Sequence, residues 1–360
     1  MLNTQNKLKI AIIVSSIEEA GPVKVIQNLV NSLRDADNLN ISVFYIDKNV
    51  DLTVRMSVPV ARLDRRKFRF SDFDIIHTNG IRPDLFAFLN RKKIHYHIST
   101  LHNFVFEDLE FTYDRIISGI FGNIWLLIWK SADKLICVSE SMKDYYSRWF
   151  PEQKLNVIYN GISEIDNSIR SYPDIVQAIG NFRLRGLIVL GCAGILTKRK
   201  GIDLVLDLLA KDEKYAVVII GDGKELQSLI GLAKKSGISD RCLFCGFRSN
   251  AVHYFKHFDF FIMPSRSEGF GLALVEAVQQ KVPVICSDID VFQELFTAEE
   301  VTFFKPGEWS SLSKSLKIGI EKGKKKAGLA YTRFLNNYMA HQMAEQYYKL
   351  YKNSISIQGN

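Results

Sequence analysis

The feature that most constrains this chain is its rhythm: short β-branched runs alternate with helical patterns from one end to the other. The strand candidates of the first half are KIAIIV, ISVFYI, FDIIHT, HYHIST, KLICVS and NVIYN, with amphipathic stretches at residues 23–34, 83–90 and 140–149 between them. The second half supplies GLIVLGCAG, YAVVIIG, CLFCGF, FDFFIMP and VPVICS, again interleaved with helices. Apolar strands separated by helices read as parallel sheets covered on both faces. The rhythm breaks once, over residues 163–185, a polar segment without a convincing strand. An inter-domain linker is expected there, between a domain over residues 1–165 and a second over 166–330. A last helix over residues 331–352, apolar at Phe334, Leu335, Met339, Met343, Tyr347 and Leu350, is expected to pack back on the first domain. The fold class is therefore α/β: two doubly wound, Rossmann-like domains facing a central cleft, where loops and helix N-termini converge on ligands.

With 360 residues, 47% of them hydrophobic, the chain has material for about two cores. Its net charge of +8 favours partners that carry phosphate or a negative surface, without choosing among them. The five cysteines are odd in number and lie in apolar runs, as expected of reduced core residues in a cytoplasmic protein. Cys242-x-x-Cys245 lacks a second pair, so no metal is expected. Asp288-x-Asp290 opens a helical pattern and reads as capping. The N-terminus shows no apolar leader, and no signal peptide is expected. The most apolar stretch, residues 116–129, is shorter than the roughly 20 residues of a spanning helix and reads as buried or interfacial.

Chemistry concentrates in PSRSEGFGLALVEAVQQKVPVICSD, residues 264–288. Glu268 and Glu276 are separated by seven residues, and Gly269 and Gly271 bracket Phe270 just before a helical pattern that begins near Leu272. Glycines allow close backbone approach, and free N–H groups at a helix start favour an anion such as a diphosphate. A second segment, GCAGILTKRKGIDLVLDLL (residues 191–209), reads as strand, basic loop and helix, with Lys200 placed to neutralise a leaving diphosphate.

The first of these segments resembles the E-x7-E signature of glycosyltransferase family 4, the "group 1" retaining transferases of GT-B fold, and the resemblance runs over nearly the whole chain. It implies that Glu276 contacts the nucleotide ribose, Glu268 the transferred sugar, and the backbone of Gly269, Phe270, Gly271 and Leu272 the phosphates. The family's lysine–glycine pair maps to Lys200 and Gly201. The family's arginine after the strand-ending Gly194 is replaced by Ile195, and Lys198 or Arg199 is the candidate to supply its charge. Gly221-Asp222-Gly223 resembles a turn near the nucleotide. GFRSN (residues 246–250) resembles the loop that cups the base, with Arg248 its candidate side chain. His102, in TLHN, matches a histidine that contacts sugar or acceptor. Gly21-Pro22 stands where the family has two glycines.

The implied reaction moves a hexose-type unit, with retention, from a nucleoside diphosphate sugar to a saccharide acceptor. A UDP-sugar is the expected donor, and no metal or other cofactor is called for. The basic run at residues 62–69 and the apolar helix at 116–129 suit peripheral attachment to an anionic membrane. They suggest a lipid-linked acceptor on the cytoplasmic face, as in O-antigen or capsule assembly. No nucleic-acid partner is expected. The competing readings are a non-catalytic sugar-nucleotide-binding scaffold and a sugar-nucleotide epimerase. The first strand lacks the glycine fingerprint of a nicotinamide enzyme.

Overall fold

The computed structural model of the protein describes residues 7–48, 54–166, 173–249 and 251–356. The chain forms two compact units, Met1–Ser163 with Tyr338–Asn360, and Glu164–Asn337.

The first unit is built on a parallel sheet of β1 (Leu8–Val14), β2 (Leu39–Tyr45), β3 (Val60–Arg62), β4 (Ile75–Asn79), β5 (Tyr96–Leu101), β6 (Lys134–Cys137) and β7 (Leu155–Val157). Their order is β3-β2-β1-β4-β5-β6-β7. The order reverses between β1 and β4, whose C-terminal ends lie side by side with Val14 opposite Asn79. Loops diverge at such a point and leave room for a ligand. β1 is buried from Ile10 to Val14, as a strand covered on both faces must be. β3 has only three exposed residues and carries no apolar signal, which is why the sequence pattern does not reveal it.

The second unit holds β8 (Ile188–Ala193), β9 (Tyr215–Ile220), β10 (Cys242–Phe244), β11 (Phe260–Met263), β12 (Val284–Ser287) and β13 (Thr302–Phe304), in parallel order β10-β9-β8-β11-β12-β13. The reversal falls between β8 and β11, paired at Phe260 with Leu190 and Phe261 with Gly191. Helices Ile202–Lys211 and Trp309–Asn337 contribute Val205, Leu208, Leu209, Leu312 and Leu316 to one core with β8 and β9.

Three expectations are corrected. The expected linker at 163–185 carries a helix, Pro173–Leu184, which buries Ile175, Ile179 and Phe182; residues 167–172 lie outside the described residues. The expected single helix over 331–352 is two, Trp309–Asn337 and Ala340–Ser356. The break has a backbone cause: Ile162 donates its N–H to Tyr338 O at 3.0 Å, and Ala340 N–H returns to Ile162 O at 3.0 Å. Asp288 and Asp290 do not cap the helix Asp290–Leu295, whose N-cap is Ile289 without a side-chain bond; Asp288 accepts from Gln293 instead.

The helix Ala340–Ser356 is fastened to the first unit by buried polar contacts. The Tyr351 hydroxyl lies 2.8 Å from His77 Nδ1, His77 Nε2 lies 2.7 Å from Thr100 Oγ1, and Thr100 Oγ1 lies 3.0 Å from the Tyr347 hydroxyl. His77 is fully buried, and burial, with the charges of His102 and His97, pushes its imidazole down to about 3. It is neutral at physiological pH and needs a partner on each nitrogen. Replacing Tyr351 by Phe leaves Nδ1 unpaired. Urea unfolding of the full chain should then show a loss of about 1–3 kcal/mol, and an unchanged midpoint would refute this fastening.

Candidate active site

Strand pairing assembles the site of the second unit. Because β8 and β11 are neighbours and parallel, the loops that leave their C-terminal ends meet although they lie some 70 residues apart in sequence. The first loop forms a short 3-10 turn at Lys198–Lys200 and ends at Gly201, in the left-handed region with φ 66°. A Cβ at Gly201 would stand 2.0 Å from Pro264 O of the second loop, so only glycine permits this approach.

Glu268 is the centre of the cluster. It is 5% exposed. Lys200 Nζ donates to its Oε1 at 2.5 Å, Ser265 Oγ donates to the same oxygen at 2.7 Å, and Arg199 Nη1 donates to Oε2 at 3.1 Å. Arg199 Nη1 also donates to Ser267 O at 2.8 Å. Burial alone would raise the Glu268 carboxyl. The charges of Lys200 and Arg199, with the bonds from Lys200 and Ser265, outweigh it and hold the group down at about 2. Glu268 is therefore an anion in a cationic grip, two positive charges against one negative.

The helix Leu272–Gln279 begins immediately beyond. Its N-cap is Gly271, at φ 88°, a residue that has no side chain to cap it. A Cβ at Gly271 would fall 2.6 Å from the Phe292 ring. Phe270 is buried, which fixes the turn, and Glu276 is half-buried one turn into the helix. Gly194 lies beside Lys200, and a hollow lined by Gly194, Ile195, Lys200, Pro264 and Ser265 opens there. Basic side chains and a nearby helix start suit an anionic ligand.

Of the two candidates for the charge missing at Ile195, Arg199 reaches Glu268, whereas Lys198 is exposed. Ile195 itself is 59% exposed. Arg248 turns to Phe247 O at 3.1 Å and lies 4.0 Å from Asp174, on the helix Pro173–Leu184. Gly221 N–H donates to Gly246 O at 2.8 Å, joining the expected nucleotide turn to the expected base loop. Asn250 lies outside the described residues. In the first unit, His102 follows β5, and its Nε2 lies 3.1 Å from Oδ1 of Asn79, the last residue of neighbouring β4. Burial pushes His102 down to about 4, so the ring is neutral. Pro22 lies in the first turn of the helix Gly21–Ser32, where its missing N–H costs nothing. Two partners were not read from the sequence: Ser265, three residues before Glu268, and Asn79, visible only once β4 and β5 are known to pair.

The linkage of Glu268 to stability has a definite sign. Its folded value lies below the roughly 4.3 of a free glutamate, so the stabilisation is present above that value and is lost as pH falls towards about 2. Glu268→Gln should therefore lower the unfolding free energy by roughly 3 kcal/mol near neutral pH. The gap to wild type should narrow steadily in acid. A gap independent of pH, measured by denaturant titration, would contradict the cationic grip.

Known proteins align with both units. Residues 183–332 match the family model described as glycosyl transferases group 1, and residues 22–164 match that of glycosyltransferase family 4. The O-antigen biosynthesis glycosyltransferase WclY of Escherichia coli is 38% identical over 307 residues, 82% of this chain and 84% of that protein. Among solved structures, Anabaena Alr3699/HepE in complex with UDP-glucose has a TM-score of 0.79 at 17% identity, covering 97% of this chain and 99% of that one. Sucrose-phosphate synthase from Thermosynechococcus elongatus has a TM-score of 0.81 at 18% identity, covering 98% and 100%. These structures share the GT-B fold. Carrying both halves of the family pattern on two parallel sheets, the chain belongs to the group 1 glycosyltransferases.

Proposed function

We propose that the protein transfers a hexose unit from a nucleoside diphosphate sugar, a UDP-sugar, to a hydroxyl of a saccharide acceptor with retention of configuration. The observation that carries this reading is the gathering of Lys200, Arg199 and Glu268 beside the start of the helix Leu272–Gln279. In this reaction the bond between the anomeric carbon and the diphosphate oxygen breaks, and its electron pair leaves with the phosphate. Lys200, Arg199 and the helix start receive that charge. Glu276, half-buried one turn on, accepts hydrogen bonds from the ribose.

The state of Glu268 bears on the stereochemistry. Both its oxygens accept charged donors and its carboxyl is held near 2, so it is a poor nucleophile and a poor general acid. A glycosidase-like double displacement needs a carboxylate free to attack. Glu268 instead orients the two cations and accepts from a sugar hydroxyl. The acceptor oxygen then approaches on the face that the diphosphate leaves, and the departing phosphate takes the acceptor proton. His102, neutral at physiological pH, serves as a hydrogen-bonding contact to sugar or acceptor. No step calls for a metal or a further cofactor. The donor reading is supported by the UDP and UDP-glucose complexes of the Anabaena structure.

A lipid-linked saccharide in O-antigen or capsule-type assembly on the cytoplasmic face is the proposed acceptor, supported by the name of the Escherichia coli relative. Among the described residues no helix is long and apolar enough to cross a membrane. Arg62, Arg65, Arg66, Lys67 and Arg69 are exposed together, and each basic residue near an anionic bilayer contributes about 1 kcal/mol of attraction. Peripheral contact through this run would bring the enzyme to such an acceptor.

A thermal-shift comparison of UDP-, GDP-, ADP- and CMP-sugars should show the UDP-sugar raising the melting temperature most. Lys200→Ala and Glu276→Ala should each lower kcat/KM for transfer at least about tenfold, a loss of roughly 1.4 kcal/mol in transition-state stabilisation, with circular dichroism unchanged. Wild-type kinetics in both would refute the roles given. Donor binding without transfer would favour the scaffold reading, and isomerised nucleotide sugar the epimerase.

A further inference from the structure

The helix Arg115–Lys130 presents an apolar seam that the first unit does not cover. Its inner face buries Ser118, Gly122, Leu126 and Trp129. Trp129 Nε1 donates at 2.9 Å to Asp84, a buried carboxylate that also accepts from Thr78 at 2.5 Å and Ser99 at 2.8 Å. The helix cannot rotate without breaking that network, so its outward face is fixed. On that face Ile117, Ile120, Ile124 and Leu127, with Tyr113 just ahead of the helix, are between 38% and 58% exposed. Their spacing is 4-3-4-3, the interval that keeps one apolar line along a helix against a partner helix. Ile116 and Phe121 flank the line and are also exposed. A contiguous apolar stripe of this kind marks an interaction surface.

Charge along the seam is uneven. At the N-terminal end stand Glu107, Asp108 and Glu110, on the helix Val105–Glu110, and the capping Asp114, against one base, Arg115. At the C-terminal end stand Lys130, Lys154, whose Nζ donates to Lys130 O, and the turn Arg91–Lys93, whose Arg91 donates to Ser131 O at 2.7 Å and pairs with Asp133. One end is acidic and the other basic. A uniformly anionic surface complements only half of such a face. A second copy of the same helix, running antiparallel, complements all of it.

We infer that two copies of this chain pair through the seam Tyr113–Ile117–Ile120–Ile124–Leu127, antiparallel about a two-fold axis near Gly122. The register follows from the spacing: Ile117 of one copy lies opposite Leu127 of the other, and Ile120 opposite Ile124, each pair being symmetric about position 122. The dyad makes the contact isologous, so it closes at two copies. The same rotation sets the acidic end of each helix beside the basic end of its mate. The helix is about 24 Å long, and its folding is already secured by the unit beneath, so association does not have to order it.

Light scattering and sedimentation of the full chain should give twice the chain mass. Ile120→Glu with Ile124→Glu, both exposed positions, should weaken association at least about a hundredfold and leave the far-ultraviolet circular dichroism unchanged. Under oxidation, Ile117→Cys and Leu127→Cys proteins should cross-link when mixed, and neither when alone. A wild-type chain that sediments as a single copy, a dimer indifferent to the two glutamates, or a cross-link within the Ile117→Cys sample alone would each overturn the proposal. So would a single-copy chain that floats with phosphatidylglycerol vesicles and loses this with the two glutamates, because the seam would then be a bilayer contact.

Discussion

Two loops that meet because β8 and β11 hydrogen-bond side by side form the candidate site of the second unit. A carboxylate as buried as Glu268 would be expelled or protonated on its own; two cations and a serine hydroxyl keep it charged. Those cations come from the loop after β8, and the carboxylate from the loop after β11. The ion cluster thus locks together what the strand order brings near. It also sets the charge that an anion would meet at this candidate site. The carboxylate neutralises one of two positive charges, and the remaining one, with the positive end of the following helix, is what an anion can use. Lys200 and Arg199 are held in place before any ligand arrives, and electrostatic catalysis depends on such preorganisation.

The first unit solves a different problem with similar means. Its sheet carries polar side chains at buried positions: His77, Thr78, His97, Ser99 and Thr100. Each would cost a few kcal/mol if left without a partner. His77 and Thr100 are satisfied by the tyrosines of the helix Ala340–Ser356, and Thr78 and Ser99 by Asp84, whereas His97 pairs through Nε2 with Thr78 and keeps a buried Nδ1 without a partner. The chain's end therefore belongs energetically to its beginning. Asp84 in turn anchors Trp129. The orientation of the apolar helix Arg115–Lys130, and with it the seam turned outward, rests on a carboxylate that burial raises to about 6 despite three hydrogen-bond donors.

What could be read in advance follows the range of the interactions concerned. The long strands were legible because burial on both faces writes itself as apolar runs, as in YAVVII. The short edge strands β3 and β13 were not, since three residues are too few to show a periodic pattern. The helix Pro173–Leu184 was missed because its buried residues, Ile175, Ile179 and Phe182, are diluted among polar ones. The break near Tyr338 depends on a backbone pairing with Ile162, which no local pattern announces.

The same distinction runs through the site. Glu268, Glu276, Lys200 and Gly271 could be picked out because a glycine turn, a helix start and a lysine–glycine step are local signals. That Lys200 and Arg199 would both bond Glu268 could not, because it depends on which strands are neighbours. Ile195 shows why this matters. A cation absent from one position of a loop is a defect only if the charge must come from that position. Here Arg199, four residues on, turns back through the 3-10 bend to reach Ser267 O and Glu268. The folded loop thus brings a cation to Glu268 from Arg199, while Ile195 stays exposed.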